Sequence, residues 1–317
     1  MSSRRFHGRR HHEITPLKES DPTGNVAPIK RGRRAARSYL IGLIGKDIQR
    51  SKSPLLHEQE GRDQNILVLY QLLDLNVMGR DVDALSDLLC SAELMGFAGL
   101  NITHPCKQAV IPLLHELSEE ARAIGAVNTV RLSGGRRRGY NTDASGFADS
   151  FRRGLSGAPL ERVVQVGAGG AGAATAYAML KMGTAHLQII DTTPGRAAGL
   201  VKNLSQFFDS SRLSVADSAT AALHDAQGLV HATPTGMREH PGLPVAEADL
   251  HRGLWVAEVV YFPLQTQLLN VARMKGCKTL DGGGMAVFQA AAAFEIFTDH
   301  VADRERMLRN FSTISID

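Results

Sequence analysis

Residues 163–191, VVQVGAGGAGAATAYAMLKMGTAHLQIID, decide the fold of this chain. An apolar run leads into Gly167, and glycines at positions 167, 169 and 172 complete a G-x-G-x-x-G pattern. An Ala-rich segment follows, and a second apolar run ends at Asp191. A strand, a glycine turn, a helix and a second strand in this order predict a Rossmann-type dinucleotide-binding unit.

The glycine turn has a physical role in holding a dinucleotide. Glycines allow the tight turn and the approach of the backbone to the pyrophosphate, while the helix N-terminus presents free N–H groups to the phosphates. Asp191 follows about 20 residues later, where a carboxylate accepts hydrogen bonds from the ribose hydroxyls and repels a 2′-phosphate. We therefore expect NAD as the cofactor, although Arg196 leaves partial use of NADP open. The residues expected to bind it here are Gly167, Gly169, Gly170, Ala171, Gly172, Asp191 and Arg196.

The composition is that of an ordinary globular chain. With 317 residues, 43% hydrophobic and 21% charged, the chain is long enough for about two domains. No apolar run approaches the roughly 18 residues of a membrane span. The three cysteines are scattered and lack C-x-x-C spacing, which indicates a reducing compartment and disfavours a disulfide framework or a zinc site. We expect a cytoplasmic protein with no metal and no membrane partner.

The positive net charge belongs to the first 37 residues. They hold ten Lys/Arg against three Asp/Glu, a balance of +7, so the other residues carry −3 of the net +4. This segment is polar, rich in Arg and His, and without apolar periodicity, which predicts a disordered basic tail over residues 1–37. An organelle address and nucleic-acid contact are alternative interpretations. Nucleic acid is not the partner we expect.

Apolar runs alternate with helical segments on both sides of the glycine turn. The runs outside that unit lie at residues 39–45, 66–73, 96–102, 229–231 and 254–260. This alternation predicts an α/β fold with two domains. The first is an N-terminal α/β substrate domain with a mostly parallel sheet, at residues 38–145 and completed by C-terminal helices within 286–317. The second is a Rossmann-type NAD-binding domain at residues 146–285.

Polar side chains cluster at the predicted strand ends of the first domain. They are Ser51, Ser53, Asn101, Thr103, Lys107, Asn128 and Asp143. In open α/β sheets, ligands bind outside the carboxyl ends of the strands, and this mixture of groups suits a small polyhydroxy ligand that carries a carboxylate. Lys107 and Asp143 are candidates for the proton transfer that accompanies oxidation of an alcohol by NAD. Taken singly, each of these residues is equally well explained as a surface charge, a helix cap or a turn residue.

Six motifs in order carry a resemblance to a known family. They are SKSP (51–54), NITHPCK (101–107), GAVNT (125–129), NTD (141–143), GAGGAG (167–172) and DGGGM…Q (281–289). With them, the chain from about residue 40 onwards resembles the shikimate/quinate dehydrogenase family. The block VVYFPLQTQLL (259–269) is similar to a further family segment. His104 and Asp191 resemble the NAD-dependent quinate/shikimate dehydrogenase branch of that family.

The resemblance implies an oxidoreductase with its substrate in a cleft between two α/β domains. It implies that Lys107 and Asp143 are the catalytic pair and that Ser51 and Ser53 bind the substrate carboxylate. The other substrate-binding residues that it implies are Thr103, Asn128, Tyr261 and Gln289. We further expect cofactor contacts from Thr233, Val260 and Gly284, the last as a glycine whose backbone lies against the nicotinamide. Cys106 stands where the family usually has an aromatic residue, and we expect a small buried side chain there.

The resulting hypothesis is NAD-dependent oxidation of shikimate, quinate or both at the ring 3-hydroxyl. By the resemblance, Ser53 goes with shikimate use and Asp191 with the quinate-using branch. We expect shikimate as the better substrate, in aromatic amino acid biosynthesis or in quinate catabolism, with a homodimer as an open option. Two alternatives stay open: an NADP-dependent biosynthetic shikimate dehydrogenase, and a non-catalytic regulator that senses quinate or a dinucleotide.

Overall fold

The structure, a computed structural model, describes residues 38–313, so the predicted basic tail at 1–37 lies outside the described residues. A first six-stranded sheet comes from the N-terminal part of the described chain. Its strands are β1 (Ser38–Gly45), β2 (Leu67–Asp74), β3 (Phe97–Ile102), β4 (Glu116–Leu117), β5 (Thr129–Ser133) and β6 (Arg136–Tyr140), in the order β2-β1-β3-β5-β6-β4. β1 is parallel to β2 and β3, and β5 and β6 add an antiparallel hairpin.

A second six-stranded sheet is parallel throughout. Its strands are β7 (Arg162–Val166), β8 (His186–Ile190), β9 (Leu213–Val215), β10 (Gly228–His231), β11 (Trp255–Glu258) and β12 (Lys278–Leu280). Their order, β12-β11-β10-β7-β8-β9, is that of the Rossmann fold. The order reverses between β7 and β10, and the crevice beyond their carboxyl ends is where such sheets bind dinucleotides. The α/β fold with mostly parallel sheets is confirmed.

Helices connect and cover the strands. They are α1 (Ser53–Asp63), α2 (Leu85–Leu94), α3 (Cys106–Ala109), α4 (Glu119–Ile124), α5 (Thr142–Gly154), α6 (Gly170–Lys181), α7 (Arg196–Leu204), α8 (Ala219–His224), α9 (Gln267–Met274), α10 (Gly283–Thr298) and α11 (Arg304–Thr313). Pro54 lies in the first turn of α1 and Gly125 at the left-handed end of α4, positions that favour proline and glycine respectively.

Helices α5 and α10 connect the cores of the two sheets. Phe147 and Phe151 of α5 are buried in the core of the second sheet, where Phe151 packs edge-on against Trp255. Phe294 and Phe297 of α10 are buried in the core of the first sheet. The two helices pack so closely that a Cβ on Gly146 of α5 would lie 2.6 Å from the backbone nitrogen of Gln289. The glycine therefore permits this contact. α5 and α10 therefore bring residues that lie near either sheet into one cleft.

Candidate active site

Lys107 and Asp143 meet directly, although 35 residues separate them in the chain. Lys107 lies on α3, directly after β3, and Asp143 lies in the first turn of α5. Lys107 Nζ donates a hydrogen bond to Asp143 Oδ2 at 2.6 Å. The two side chains are 23% and 10% exposed, so the ion pair is partly shielded from solvent but open to a ligand.

The other carboxylate oxygen of Asp143 is held by a hydrogen bond from Asn128. Asn128 Nδ2 donates to Asp143 Oδ1 at 3.0 Å and lies 3.5 Å from Gln289 Oε1. Asn128 is itself held by Thr142, whose backbone N–H donates to Asn128 Oδ1 at 2.8 Å. Asn141 supplies the N-cap of α5 through a bond from the backbone N–H of Ala144. The carboxylate of Asp143 thus has one orientation, with Oδ2 directed at the lysine.

A second group of predicted residues lies at the start of α1. No side chain caps this helix, so Ser53 is not the plain cap that its position before Pro54 allows. Ser51 Oγ instead accepts a bond from the backbone N–H of Ser53 at 3.2 Å. The Ser53 hydroxyl is hydrogen-bonded to Tyr70, whose own hydroxyl donates to Asn101 Oδ1 at 2.9 Å.

Tyr70 connects this serine pair to Lys107 and Asp143, a role that no sequence motif indicates. Asn101 Nδ2 donates to Thr129 Oγ1 at 3.1 Å, and Thr129 Oγ1 donates to Asn128 Oδ1 at 3.0 Å. A chain of buried hydrogen bonds therefore runs from Ser53 to Asn128 and on to Asp143. Burial raises the pKa of Tyr70, with Ser53 opposing the shift, so the phenol is neutral.

The remaining predicted substrate residues surround the same pair. Thr103 follows β3 and is half-buried, and Gln289 faces Asn128 from α10. Tyr261 follows β11 at the mouth of the cleft. Loss of hydration and, second, the charge of Asp143 raise the pKa of Tyr261, which places the phenol within electrostatic reach of the Asp143 carboxylate. Cys106 is fully buried, and burial raises the pKa of its thiol to about 11, as expected for a small core side chain.

The glycine turn has the geometry of a phosphate cradle. Gly167 has φ +108°, and a Cβ there would lie 2.5 Å from the carbonyl oxygen of Ala232. A Cβ on Gly172 would lie 2.2 Å from the carbonyl oxygen of Gly167, so only glycine permits α6 to pack on the turn. Above Gly169 there is open space within 4 Å, and no side chain caps α6. The first N–H groups of α6 therefore suit a phosphate ligand.

The cradle and Lys107 lie close together. A Cβ on Gly170, the first residue of α6, would lie 3.8 Å from Lys107 Cδ. The predicted dinucleotide turn of the second sheet and the proton-transfer pair of the first sheet thus form two walls of one cleft.

Asp191 directly follows β8 and lies beside the cradle. Its carboxylate accepts hydrogen bonds from the backbone N–H groups of Ala168 and Thr193, each at 2.8 Å, and Arg196 lies 3.8 Å away. Burial opposes ionisation, but these N–H groups and the arginine outweigh it and lower the pKa of Asp191. The carboxylate is therefore charged at neutral pH and repels a phosphate at that point.

The other expected cofactor residues occupy the loops after β10 and β11 and the first turn of α10. Thr233 follows β10 and touches the turn, since a Cβ on Gly167 would lie 2.8 Å from Thr233 Cγ2. Val260 follows β11 and is buried. A Cβ on Gly284 would lie 2.3 Å from Ser150 Oγ, so this glycine has a packing reason besides the expected contact with the nicotinamide. Its cofactor contact stays a prediction.

The described residues 38–313 contain no group of three or more His, Cys, Asp or Glu side chains arranged to hold a metal ion. The same part of the chain has no helix long and apolar enough to cross a membrane.

Comparison with known proteins agrees with this geometry. The model of the shikimate dehydrogenase substrate-binding domain matches residues 43–130, and that of the shikimate 5′-dehydrogenase C-terminal domain matches residues 282–309. A Streptomyces avermitilis protein named shikimate dehydrogenase (NADP(+)) is 53% identical over 280 residues, which are 88% of this chain and 96% of that protein. The chain belongs to the shikimate dehydrogenase family.

Within the shikimate dehydrogenase family, the chain is also similar to proteins named for NAD. A Corynebacterium efficiens quinate/shikimate dehydrogenase (NAD(+)) is 44% identical, with 87% of this chain and 99% of that protein covered. The solved structure of quinate dehydrogenase from Corynebacterium glutamicum in complex with NAD has a TM-score of 0.83 and 42% identity, covering 88% of this chain and all of that chain. Relatives named for both cofactors therefore share this fold.

Proposed function

We propose that this chain is an NAD-dependent dehydrogenase that oxidises the ring 3-hydroxyl of shikimate, of quinate or of both to the ketone. The observation that carries the proposal is the 2.6 Å bond between Lys107 and Asp143 in a cleft whose facing wall is the glycine turn. Because both members of the pair are present and aligned, an enzyme is favoured over a non-catalytic sensor.

The chain's own residues account for proton transfer. The Lys107 amine accepts the proton of the substrate hydroxyl, and Asp143 stabilises the ammonium that results. NAD, when bound, supplies the acceptor for the hydride that leaves the same carbon. Asn128 fixes Asp143 and, with Thr103 and Gln289, binds the substrate's hydroxyl groups, while Ser51, Ser53 and Tyr261 bind its carboxylate. The hydroxyl at the reacting carbon is thereby held beside Lys107.

The cofactor assignment rests on Asp191. Its fixed, charged carboxylate suits the 2′-hydroxyl of NAD and disfavours the 2′-phosphate of NADP. The glycine turn with Thr233, Val260 and Gly284 would hold the pyrophosphate and nicotinamide parts. NADP dependence is the second candidate, because relatives at 49–53% identity carry NADP in their names. Arg196 is 51% exposed beside the same position and would favour it.

The test is a two-by-two comparison of initial rates, with shikimate or quinate as substrate and NAD or NADP as cofactor. We expect the highest kcat/KM with shikimate and NAD, and measurable turnover of quinate. Preference for NADP with shikimate would establish the second candidate. The absence of turnover in all four combinations would contradict the proposed function.

Ser53 sets the expected preference between the two substrates. Quinate has one more hydroxyl than shikimate on the carbon that bears the carboxylate, and Ser53 lies at the predicted carboxylate site. The variant Ser53→Thr adds the methyl group that goes with quinate use in related proteins. We expect its kcat/KM ratio of quinate to shikimate to rise, measured with NAD for both substrates. An unchanged ratio would remove position 53 from the choice of substrate.

We also propose the two-domain division at residues 38–145 with 286–317, and 146–285.

We further propose a homodimer in the cytoplasm. β2 is an edge strand on which Leu67 and Leu69 are 53% and 56% exposed, a surface that suits a second copy. The three cysteines are free thiols, which agrees with a reducing compartment. Light scattering of the full chain should give twice the mass of one chain, and the variant Leu69→Lys should give the mass of one.

A further inference from the structure

A buried pair of ionisable residues lies in the Rossmann sheet, outside the residues assigned so far. His231 and Glu258 are the last residues of β10 and β11 and face each other in the register of these parallel strands. Both side chains are completely buried, and His231 Nδ1 lies 2.8 Å from Glu258 Oε1. Two such side chains at the end of buried strands cost free energy unless every polar atom is bonded.

Every polar atom of the pair has a partner. Glu258 Oε1 also accepts from the backbone N–H of Val260 at 3.0 Å, and Oε2 accepts from Thr266 Oγ1 at 3.1 Å. His231 Nε2 is bonded to the hydroxyl of Thr233. That hydroxyl oxygen accepts from the backbone N–H of Thr235 at 3.3 Å.

These partners restrict the directions of the bonds. A carboxylate only accepts, so the proton on Nδ1 of His231 points to Glu258. The Thr233 hydroxyl accepts from Thr235 and keeps its proton and a further lone pair for Nε2 of His231. The imidazole therefore ties the loop after β10 to the carboxylate at the end of β11.

The network holds the two loops that line the cleft beside the glycine turn. The loop after β10 touches the turn through Ala232 and Thr233, as the space around Gly167 demonstrates. The loop after β11 carries Val260 and then Tyr261, which lies near the catalytic pair. Together they form a wall that runs from the phosphate cradle to Lys107 and Asp143. A nicotinamide ring that reaches the substrate must lie along this wall.

We propose that His231 and Glu258 are positioning residues for hydride transfer, which orient the nicotinamide by fixing the loops after β10 and β11 without touching the ring. This inference rests on the proposed function, because it presupposes NAD in the cleft. A small misplacement of reacting atoms lowers a rate strongly, by as much as about 10²-fold for 1 Å. The pair should therefore affect the rate of chemistry more than the binding of substrate.

The experiment compares the full-length protein with His231→Leu and with the double variant His231→Leu/Glu258→Leu. The double variant replaces the pair by apolar side chains, so no charge is left without its partner and thermal stability should return to near that of the wild type. Sites that bind NADH are titrated by NADH fluorescence, and kcat is expressed per titrated site. This normalisation removes any loss of folded protein from the comparison.

For both variants we expect kcat per site to fall at least tenfold, with the KM for shikimate within about twofold of the wild type. The control is His251→Leu, since His251 precedes β11 and bonds the carbonyl of Leu223, which precedes β10, at the amino ends of the same strands. If the double variant keeps the wild-type kcat per site, the positioning role is wrong and the proposed function is unaffected. Failure of the wild type to turn over with NAD would overturn the proposed function and this inference with it.

Discussion

At the scale of single residues, Asp191 illustrates how the backbone prepares a side chain for recognition. The N–H groups of Ala168 and Thr193 hold its two oxygens, so the carboxylate keeps its orientation and charge before any ligand arrives. Both N–H groups belong to the loops that adjoin the ribose position of a Rossmann fold. The remaining lone pairs can accept from ribose hydroxyls, and a phosphate at that position meets a fixed negative charge.

The first prediction concerns this charge. Asp191→Asn removes the negative charge but keeps one oxygen as an acceptor, so NAD loses part of its advantage over NADP. We expect the ratio of kcat/KM for NAD to kcat/KM for NADP to fall by about tenfold or more, which corresponds to about 1.4 kcal/mol. Initial rates with shikimate and each cofactor measure it. Asp217→Asn, at an exposed acid in the loop after β9, is the matched control and should leave the ratio unchanged.

At the scale of elements, the close contact of α5 and α10 positions the site. α5 carries Asp143 in its first turn, and α10 carries Gln289, which faces Asn128. The absence of a side chain at Gly146 permits this approach, because the neighbouring atoms are backbone of α10 and cannot move aside independently. The packing of two helices therefore decides the geometry of groups on both.

Gly146→Ala tests this packing. Its Cβ would lie 2.6 Å from the backbone nitrogen of Gln289 and 2.9 Å from the carbonyl oxygen of Met285, so the helices must separate. We expect the free energy of unfolding to fall by about 1–3 kcal/mol and the KM for shikimate to rise. Urea denaturation and steady-state kinetics measure the two effects.

Gly199→Ala in α7 is the matched control. A Cβ there would have no atom within 4 Å, and the helix gains a better helix former. Its stability should stay the same or rise by up to about 1 kcal/mol. If Gly146→Ala behaves like this control, the close contact of α5 and α10 is not what holds Gln289 in place.

At the scale of the whole molecule, one buried histidine links stability to pH. His57 lies among Tyr70, Phe294 and Phe297 in the core between α1, α10 and the first sheet. Its Nδ1 has no hydrogen-bond partner among the residues that the structure describes. Burial lowers the pKa of His57 to about 3, so the fold accommodates only the neutral imidazole.

This shift predicts acid destabilisation. The unfolded chain binds a proton to His57 below pH 6.5, whereas the folded chain binds none until about pH 3, so stability is complete above pH 6.5 and is lost as the pH falls between these values. The contribution is up to about 1.4 kcal/mol per pH unit. The variant His57→Phe should lack it, so from pH 6.5 to 4.5 it should lose about 2–3 kcal/mol less stability than the wild type.

Urea denaturation at several pH values measures that difference. Carboxylates whose pKa is lowered, such as Asp74 and Asp191, titrate in both proteins and cancel in the comparison. The exposed His224 provides the control His224→Gln, which should follow the wild type. Parallel curves for wild type and His57→Phe would contradict the assignment.

The sequence predicted the parts of the molecule that depend on local pattern. The glycine turn and the buried strands β1, β2, β3, β10 and β11 follow from glycine spacing and apolar runs in short windows. β4 and β9 were not predicted, because two or three residues are too few to display a period.

Side chains that act through distant partners were harder to predict. Lys107 and Asp143 were identified through motifs, whereas Tyr70, His231 and Glu258 lie within apolar runs that indicate only buried strands. The one available signal in the sequence was that a residue with an ionisable side chain stands within an apolar run that predicts a buried strand. Their partners depend on the order of strands in each sheet, for which a single sequence has no local marker. The cofactor contacts and the domain division remain predictions.

The most direct test of the account is the rate of NADH formation from shikimate and NAD by Lys107→Ala, compared with the wild type at saturating concentrations of both. Without the lysine amine, the substrate hydroxyl has no proton acceptor beside Asp143, and we expect kcat to fall by about 10²–10⁴-fold. The KM for NAD should change little. A variant that turns over at the wild-type rate would contradict the central claim that Lys107 and Asp143 transfer the proton.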